Sequence, residues 1–107
     1  MSFWTGTDLS GSVTSDWMRT PDNCIEQWGV GVITTDSSQV SFPIPFPDKV
    51  LWLAEQDNSG GARKTFWQLN DITDTGFTAV NLATISKGAT TVNASVNARV
   101  TWFASGI

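Results

Sequence analysis

Residues 92–103 read Val-Asn-Ala-Ser-Val-Asn-Ala-Arg-Val-Thr-Trp-Phe, an alternation of small or apolar side chains with mainly polar ones. Successive side chains of a β-strand point to opposite faces of the sheet, so a period of two is typical of a strand with one buried face. The buried face is predicted to carry Val92, Ala94, Val96, Ala98, Val100 and Trp102. This is the clearest pattern in the chain, and it indicates a β protein.

Six shorter stretches upstream show related patterns between turn signals. They are residues 17–20, 24–33, 40–47, 49–56, 63–69 and 76–80. Three prolines in the third stretch remove backbone donors and confine it to the edge of a sheet. Residues 57–61, Asp-Asn-Ser-Gly-Gly, predict a hairpin-type connection between the fourth and fifth stretches. Residues 81–91 include Gly88 and several Thr and Ser residues, and we predict a loop there.

About seven short strands without a convincing helical period predict an all-β fold, an antiparallel β-sandwich of about six to eight short strands. We assign Trp28, Trp52 and Trp102 to its packing. A chain of 107 residues has the size of one domain. Residues 1–15, rich in Ser, Thr and Gly, are expected to be an N-terminal arm or linker, and residues 16–107 the sandwich domain.

Composition excludes several classes of site. The net charge is −4, with only three Lys and three Arg, so no basic stripe is available for nucleic acid. Cys24 is the only cysteine and there is no His, which excludes an intrachain disulfide and the usual zinc sites. We therefore expect no cofactor and no metal. The sequence also lacks a long apolar run and an export signal, so we expect no membrane insertion.

Catalytic residues are difficult to assign in this composition. Without His, no nucleophilic triad of the histidine type can be built. The eight Asp and two Glu could supply the carboxylate pair of a glycosidase. Acids scattered through predicted turns, however, are more typical of capping and solvated groups. We therefore expect a binding domain and not an enzyme, and we keep a polysaccharide-cleaving enzyme as an alternative.

Three pieces of sequence, in order along the chain, carry a resemblance to a known family. The first is residues 17–21 followed by Ile-Glu-Gln-Trp-Gly at 25–29, and the second is Val-Ser-Phe-Pro at 40–43 with Phe46-Pro47. The third is Thr-Gly-Phe-Thr at 75–78 with the ending Trp-Phe-Ala-Ser-Gly-Ile at 102–107. Together they resemble the gp53-like C-terminal family of tailed-phage and prophage tail fibres, whose domain is an H-type-lectin-like sandwich.

The resemblance covers roughly residues 16–107 and implies a role. Such a domain is expected to form a homotrimer at the tip of a virion tail fibre, joined to an upstream tail-fibre shaft and assembled in the host cytoplasm. Its partner would be a bacterial surface glycan, either lipopolysaccharide or capsule, or an outer-membrane receptor. A purely structural domain that trimerises and caps the fibre remains an alternative. The chain departs from the family at Cys24 and Glu26, where the family tends to be more apolar.

Candidate receptor-binding residues follow from the chemistry of sugars. Aromatic faces pack on sugar rings while polar side chains bond the hydroxyl groups. Trp67 is the first candidate because its strand follows the glycine-rich turn, although core or intersubunit packing is the alternative. The other candidates are mainly polar residues in predicted loops, where recognition residues concentrate but where Asx side chains also bond their own backbone. The full set is Trp67, Arg63, Asp57, Asn58, Asn70, Asp71, Asn81 and Lys87, with no catalytic residue.

Overall fold

The computed structural model describes residues 15–93 and 97–107, which form seven strands and contain no helix that could cross a membrane. The strands are β1 (Ser15–Arg19), β2 (Ile25–Ile33), β3 (Ser37–Ser41), β4 (Val50–Asp57), β5 (Arg63–Asn70), β6 (Gly76–Ser86) and β7 (Ala98–Gly106). They pair antiparallel in two sheets, ordered β1-β2-β7-β4 and β3-β6-β5. The predicted all-β antiparallel architecture is confirmed.

The inward face of β7 forms the centre of the core. Val100, Trp102 and Ala104 are buried there, and Trp102 lies against the rings of Phe42 and Phe77. The alternation predicted within residues 92–103 is therefore confirmed from Ala98 onward. The strand does not extend back to Val92, which is 58% exposed, and residues 94–96 lie outside the described residues.

Two of the three tryptophans assigned to packing do not lie in the core, whereas Trp102 does. In β2 the buried positions are Ile25, Gln27 and every second residue after them, so Trp28 lies on the outer face and is only partly buried. Trp52 is 51% exposed and stacks on Phe103, with ring centroids 5.2 Å apart, on the outer face of the larger sheet. In β2 alternation is the reason, since it places Trp28 opposite the core positions. In β4 a register shift between Val50 and Trp52 interrupts the alternation and leaves Trp52 on the outer face.

The proline-rich segment after β3 is held without a strand ladder. The predicted edge strand over residues 40–47 is mostly wrong: β3 is an edge strand, but it spans Ser37–Ser41 and ends before the prolines. The fully buried Gln27 side chain donates from Nε2 to the carbonyl of Ile44 at 2.9 Å and accepts from the Ile44 amide at 3.1 Å. The amides of Phe42 and Phe46 donate to the carbonyls of Thr75 and Asp74. Side-chain and loop bonds thus replace the missing ladder.

Gly29 completes this arrangement because it faces Trp102 across the β2–β7 pair. A Cβ atom at position 29 would lie 2.8 Å from the Trp102 ring, closer than carbon atoms approach in packed cores. Gln27 therefore holds the proline-rich segment by hydrogen bonds, and Gly29 leaves room for the ring of the central tryptophan.

Two predicted connections are wrong. Residues 57–61 do not make a hairpin, because β4 belongs to the larger sheet and β5 to the smaller one, so this turn crosses between sheets. Residues 81–86 are not a loop, because β6 continues to Ser86 and pairs there with Arg63. A register shift between Phe66 and Trp67 absorbs one extra residue of β6, which interrupts the alternation that sequence reading depends on.

Candidate functional site

A cleft of about 740 Å³ opens at one end of the sandwich, and we call it the end cleft. Its lining comes from the β4–β5 turn (residues 59–63), the end of β6 (86–87), the start of β7 (97–99) and Val32 of β2. Ligand sites in proteins commonly have volumes of roughly 300–1,000 Å³. The end cleft is therefore large enough for one or two sugar rings.

Positive charge is concentrated at this cleft. Arg63, Lys87 and Arg99 line it, and none of the described lining residues is an acid. A shallower adjoining cleft of about 360 Å³ shares Arg63 and Lys87 and adds Lys64. Four of the six cationic side chains of an acidic chain thus lie at one end of the molecule.

Backbone and side-chain bonds hold the walls of the end cleft together. The Arg63 guanidinium donates from Nη2 to the carbonyl of Ser59 at 3.2 Å and to that of Asn97 at 2.8 Å, joining two walls. The Lys87 amide donates to the Ala62 carbonyl at 2.7 Å. The Asn58 amide donates to the Arg99 carbonyl at 2.9 Å. A site fixed in this way is largely formed before a ligand arrives, which reduces the entropy lost on binding.

Asp57 organises the turn that forms one wall. Its carboxylate accepts hydrogen bonds from the Ser59 amide and hydroxyl, the Thr65 amide at 3.1 Å and the Trp67 indole at 3.3 Å. Burial raises the pKa of the carboxyl, but the bonds from Ser59, Thr65 and Trp67 outweigh it and hold the pKa below its ordinary value. Asp57 is therefore a charged anchor of the turn, with its acceptor capacity already used.

Trp67 lies deeper than a binding platform would require. It is partly buried, packs against the hydrophobic core and does not line the end cleft. Its contacts match the packing alternative considered for it. The exposed aromatic ring of β5 is the neighbouring Phe66, 51% exposed on the outer face of the smaller sheet.

The remaining candidates separate into two groups. Arg63 and Lys87 line the end cleft, and Asp57 and Asn58 adjoin it. Three other candidates lie away from the cleft: Asn70, Asp71 and Asn81.

Asn70 and Asp71 lie at the opposite end of β5, where Asp71 accepts from the Thr78 hydroxyl at 3.5 Å. Asn81 is not in a loop: it is 1% exposed within β6 and bonds Thr84, so its side chain offers no surface to a receptor.

Sequence reasoning missed Arg99 and Asn97 in the end cleft. Both were placed in one long strand, 92–103, and so were treated as part of its polar face. No local signal distinguished them, because cations lie at or next to strand ends at both ends of the sandwich, Arg19 and Lys49 among them. Across residues 15–93 and 97–107, no cluster of three or more Cys, Asp and Glu side chains could hold a metal ion.

Comparison with known proteins identifies related domains. The model of the gp53-like tail fiber protein C-terminal family matches residues 19–107. Among solved structures, the C-terminal part of the R2 pyocin fibre of P. aeruginosa has a TM-score of 0.66 and 24% identity, covering 91% of this chain and 25% of that one. The C-terminal part of the R1 pyocin fibre of P. aeruginosa has a TM-score of 0.52 and 16% identity, covering 92% of this chain and 29% of that one.

At these identities the likeness to the pyocin fibres concerns the fold. This chain spans about a quarter of the R2 fibre chain to which it is similar. No curated protein matches it in sequence.

Proposed function

Because the chain belongs to the gp53-like C-terminal family of tail fibre proteins, we propose that it is the receptor-binding tip of a phage-type tail fibre. In this role it is part of a virion or a virion-like particle. It is attached to an upstream fibre shaft and assembled with it in the host cytoplasm. The sandwich acts as a rigid scaffold, and recognition takes place at its connections, as is general for binding sites on loops.

The receptor proposed is a bacterial surface glycan, either lipopolysaccharide or capsule. The observation that supports it is the end cleft, which is concave, polar and built by residues from four parts of the chain. Arg63, Lys87 and Asn97 supply hydrogen-bond donors at its surface. Family membership favours a non-catalytic role, in which binding and not cleavage attaches the particle to the cell.

A homotrimer is the proposed assembly. β4 is an edge strand of the larger sheet, and its Leu51 and Trp52 are each 51% exposed. Large apolar side chains exposed together commonly mark contacts between subunits. Three copies on one fibre would also raise a weak single-site affinity through effective concentration.

The test of glycan binding uses fluorescently labelled protein and a panel of Gram-negative bacteria. Binding is expected to survive treatment of the cells with protease and to disappear after periodate oxidation of surface sugars. The opposite pattern would establish an outer-membrane protein as the receptor. Incubation with purified lipopolysaccharide or capsule, followed by sizing of the polysaccharide, tests for an enzyme: shortened chains would refute the non-catalytic role.

A pair of matched variants locates the binding surface. Asn97→Trp places a large ring in the end cleft, and Ile72→Trp places the same ring at the exposed β5–β6 hairpin at the opposite end. Loss of cell binding in Asn97→Trp alone is expected. Loss in Ile72→Trp alone would move the site to the end that holds Asn70 and Asp71. Full binding of particles that carry either variant would favour the structural cap.

Sedimentation of the protein tests the assembly. A mass of about 35 kDa, three times the 11.6 kDa chain, is expected for the trimer. A species of 11.6 kDa at micromolar concentration would refute it.

A further inference from the structure

The distribution of charge separates the two ends of the sandwich. Arg63, Lys64, Lys87 and Arg99 line the end cleft and the adjoining cleft. The opposite end carries four acids, Asp71 and Asp74 in the β5–β6 hairpin and Asp22 and Asp48 in loops, beside two cations, Arg19 and Lys49. A concave surface with one sign of charge concentrates ions of the other sign, even in a protein whose net charge is −4.

The acids nearest the end cleft do not line it. The Asp57 carboxylate is occupied by donors from Ser59, Thr65 and Trp67, and Asp57 does not line the cleft. Asp36 does not line it either, and its carbonyl accepts from the Asn81 amide in the interior of β6. Among the described residues, the lining of the end cleft therefore carries cations and no carboxylate.

Arg63 is held in a position to receive an anion. Its Nη2 group donates to the Ser59 and Asn97 carbonyls, which fixes the guanidinium and leaves Nε and Nη1 as its other donor groups. Both parallel donor pairs of a guanidinium include Nη2, so Arg63 offers an anion its positive charge and a single donor from Nε or from Nη1. Lys87 and Arg99 are exposed and add positive charge on the other walls.

On the basis of the proposed function, we infer that the end cleft binds an anionic substituent of the receptor glycan, a phosphate or carboxylate group on a sugar. A neutral sugar does not bind the end cleft by itself and contacts it only when it carries that anionic group. The interaction is charge-assisted and lies near solvent, so it weakens as salt screens it over about 8 Å at physiological ionic strength.

The experiment is a titration of the ¹⁵N-labelled 107-residue chain, observed by NMR, with three sugars that share one ring: glucose, glucose 6-phosphate and glucuronate. The amides of Gly60, Gly61 and Lys87 are expected to shift with an anionic sugar and to stay in place with glucose. A response to glucose 6-phosphate alone identifies phosphate, and a response to glucuronate alone identifies carboxylate. Equal shifts with all three sugars, or none, would overturn the inference.

Matched charge variants test where the anion binds. The double variant Lys87→Gln with Arg99→Gln should weaken binding by about tenfold or more, because two charge-assisted contacts are lost. Lys49→Gln removes a charge at the other end of β4, roughly 25 Å away at about 3.3 Å per residue, and should change nothing. Equal weakening by Lys49→Gln would show non-specific attraction and contradict the inference. Unchanged backbone spectra verify that each variant is folded.

Cell binding by the same variants separates this inference from the proposed function. If the double variant binds cells as well as the unsubstituted chain does, receptor binding stands and the anionic site is refuted. If the chain binds anionic sugars but no bacterium of the panel, the anionic site stands and the receptor-binding role fails.

Discussion

Replacement of Gln27 by Met removes the two hydrogen bonds that hold the proline-rich segment. Met has nearly the same length, so the core remains filled, but the amide and carbonyl of Ile44 lose the Gln27 side chain as a hydrogen-bond partner. Each buried backbone group left unpaired costs about 1–3 kcal/mol. Since Ile44 is partly exposed and water can reach part of it, we expect a total loss of about 2–4 kcal/mol.

Thermal unfolding followed by circular dichroism, at one chain concentration, measures this loss. A change of 1 kcal/mol shifts Tm by about 4–8 °C in a domain of this size, so Gln27→Met should lower Tm by at least about 8 °C. The control is Gln39→Met on the exposed outer side of β3, which should shift Tm by less than about 2 °C. A shift of the same small size in Gln27→Met would refute the hydrogen-bond argument.

A second variant, Gln27→Glu, tests the same bonds through pH. The ionised carboxylate can accept from the Ile44 amide but repels the Ile44 carbonyl, whereas the protonated acid can donate to that carbonyl as the amide does. Burial favours the protonated form in the folded state, so folding binds protons and stability falls as pH rises. The deficit relative to Gln27 should be smaller at pH 4 than at pH 7, and an equal deficit at both would contradict this account.

Three further outcomes are expected. Gly29→Ala should destabilise the fold by about 1–3 kcal/mol, because its Cβ would press into the Trp102 ring. Urea unfolding measures this loss, and an unchanged midpoint would show that the ring can move aside. Asp57→Asn should lower stability by about 1–2 kcal/mol at pH 7, measured by urea unfolding. The folded pKa of Asp57 is lowered, so its contribution is present above the unfolded pKa near 3.8 and is lost as pH falls through the folded pKa. The gap between Asp57→Asn and the unsubstituted chain should therefore narrow by pH 3, and a constant gap would exclude the charge as its cause. Trp52→Ser should shift the sedimenting species from trimer toward monomer without lowering core stability, and an unchanged mass would exclude β4 from the interface.

The candidate site could be predicted from sequence only in part. Arg63 and Lys87 were found because they flank turn signals, and both line the end cleft. Arg99 was missed because it lies in an alternating strand, where local pattern says nothing about which strand ends meet in space. Asn81 was misplaced because a register shift in the β5–β6 pair hid the continuation of β6.

The sequence by itself determined the class of fold and the inward face of β7, because a period of two depends only on local backbone geometry and is visible in any alternating run. The family resemblance was also visible in the sequence, through its three ordered pieces. The tertiary structure alone decided that the β4–β5 turn after Asp57 crosses between sheets, that the Gln27 side chain hydrogen-bonds the Ile44 backbone, and that cations far apart in the chain line one cleft. These features depend on contacts between residues distant in sequence. Such contacts are selected by how two sheets pack together, and no single stretch of sequence carries that information.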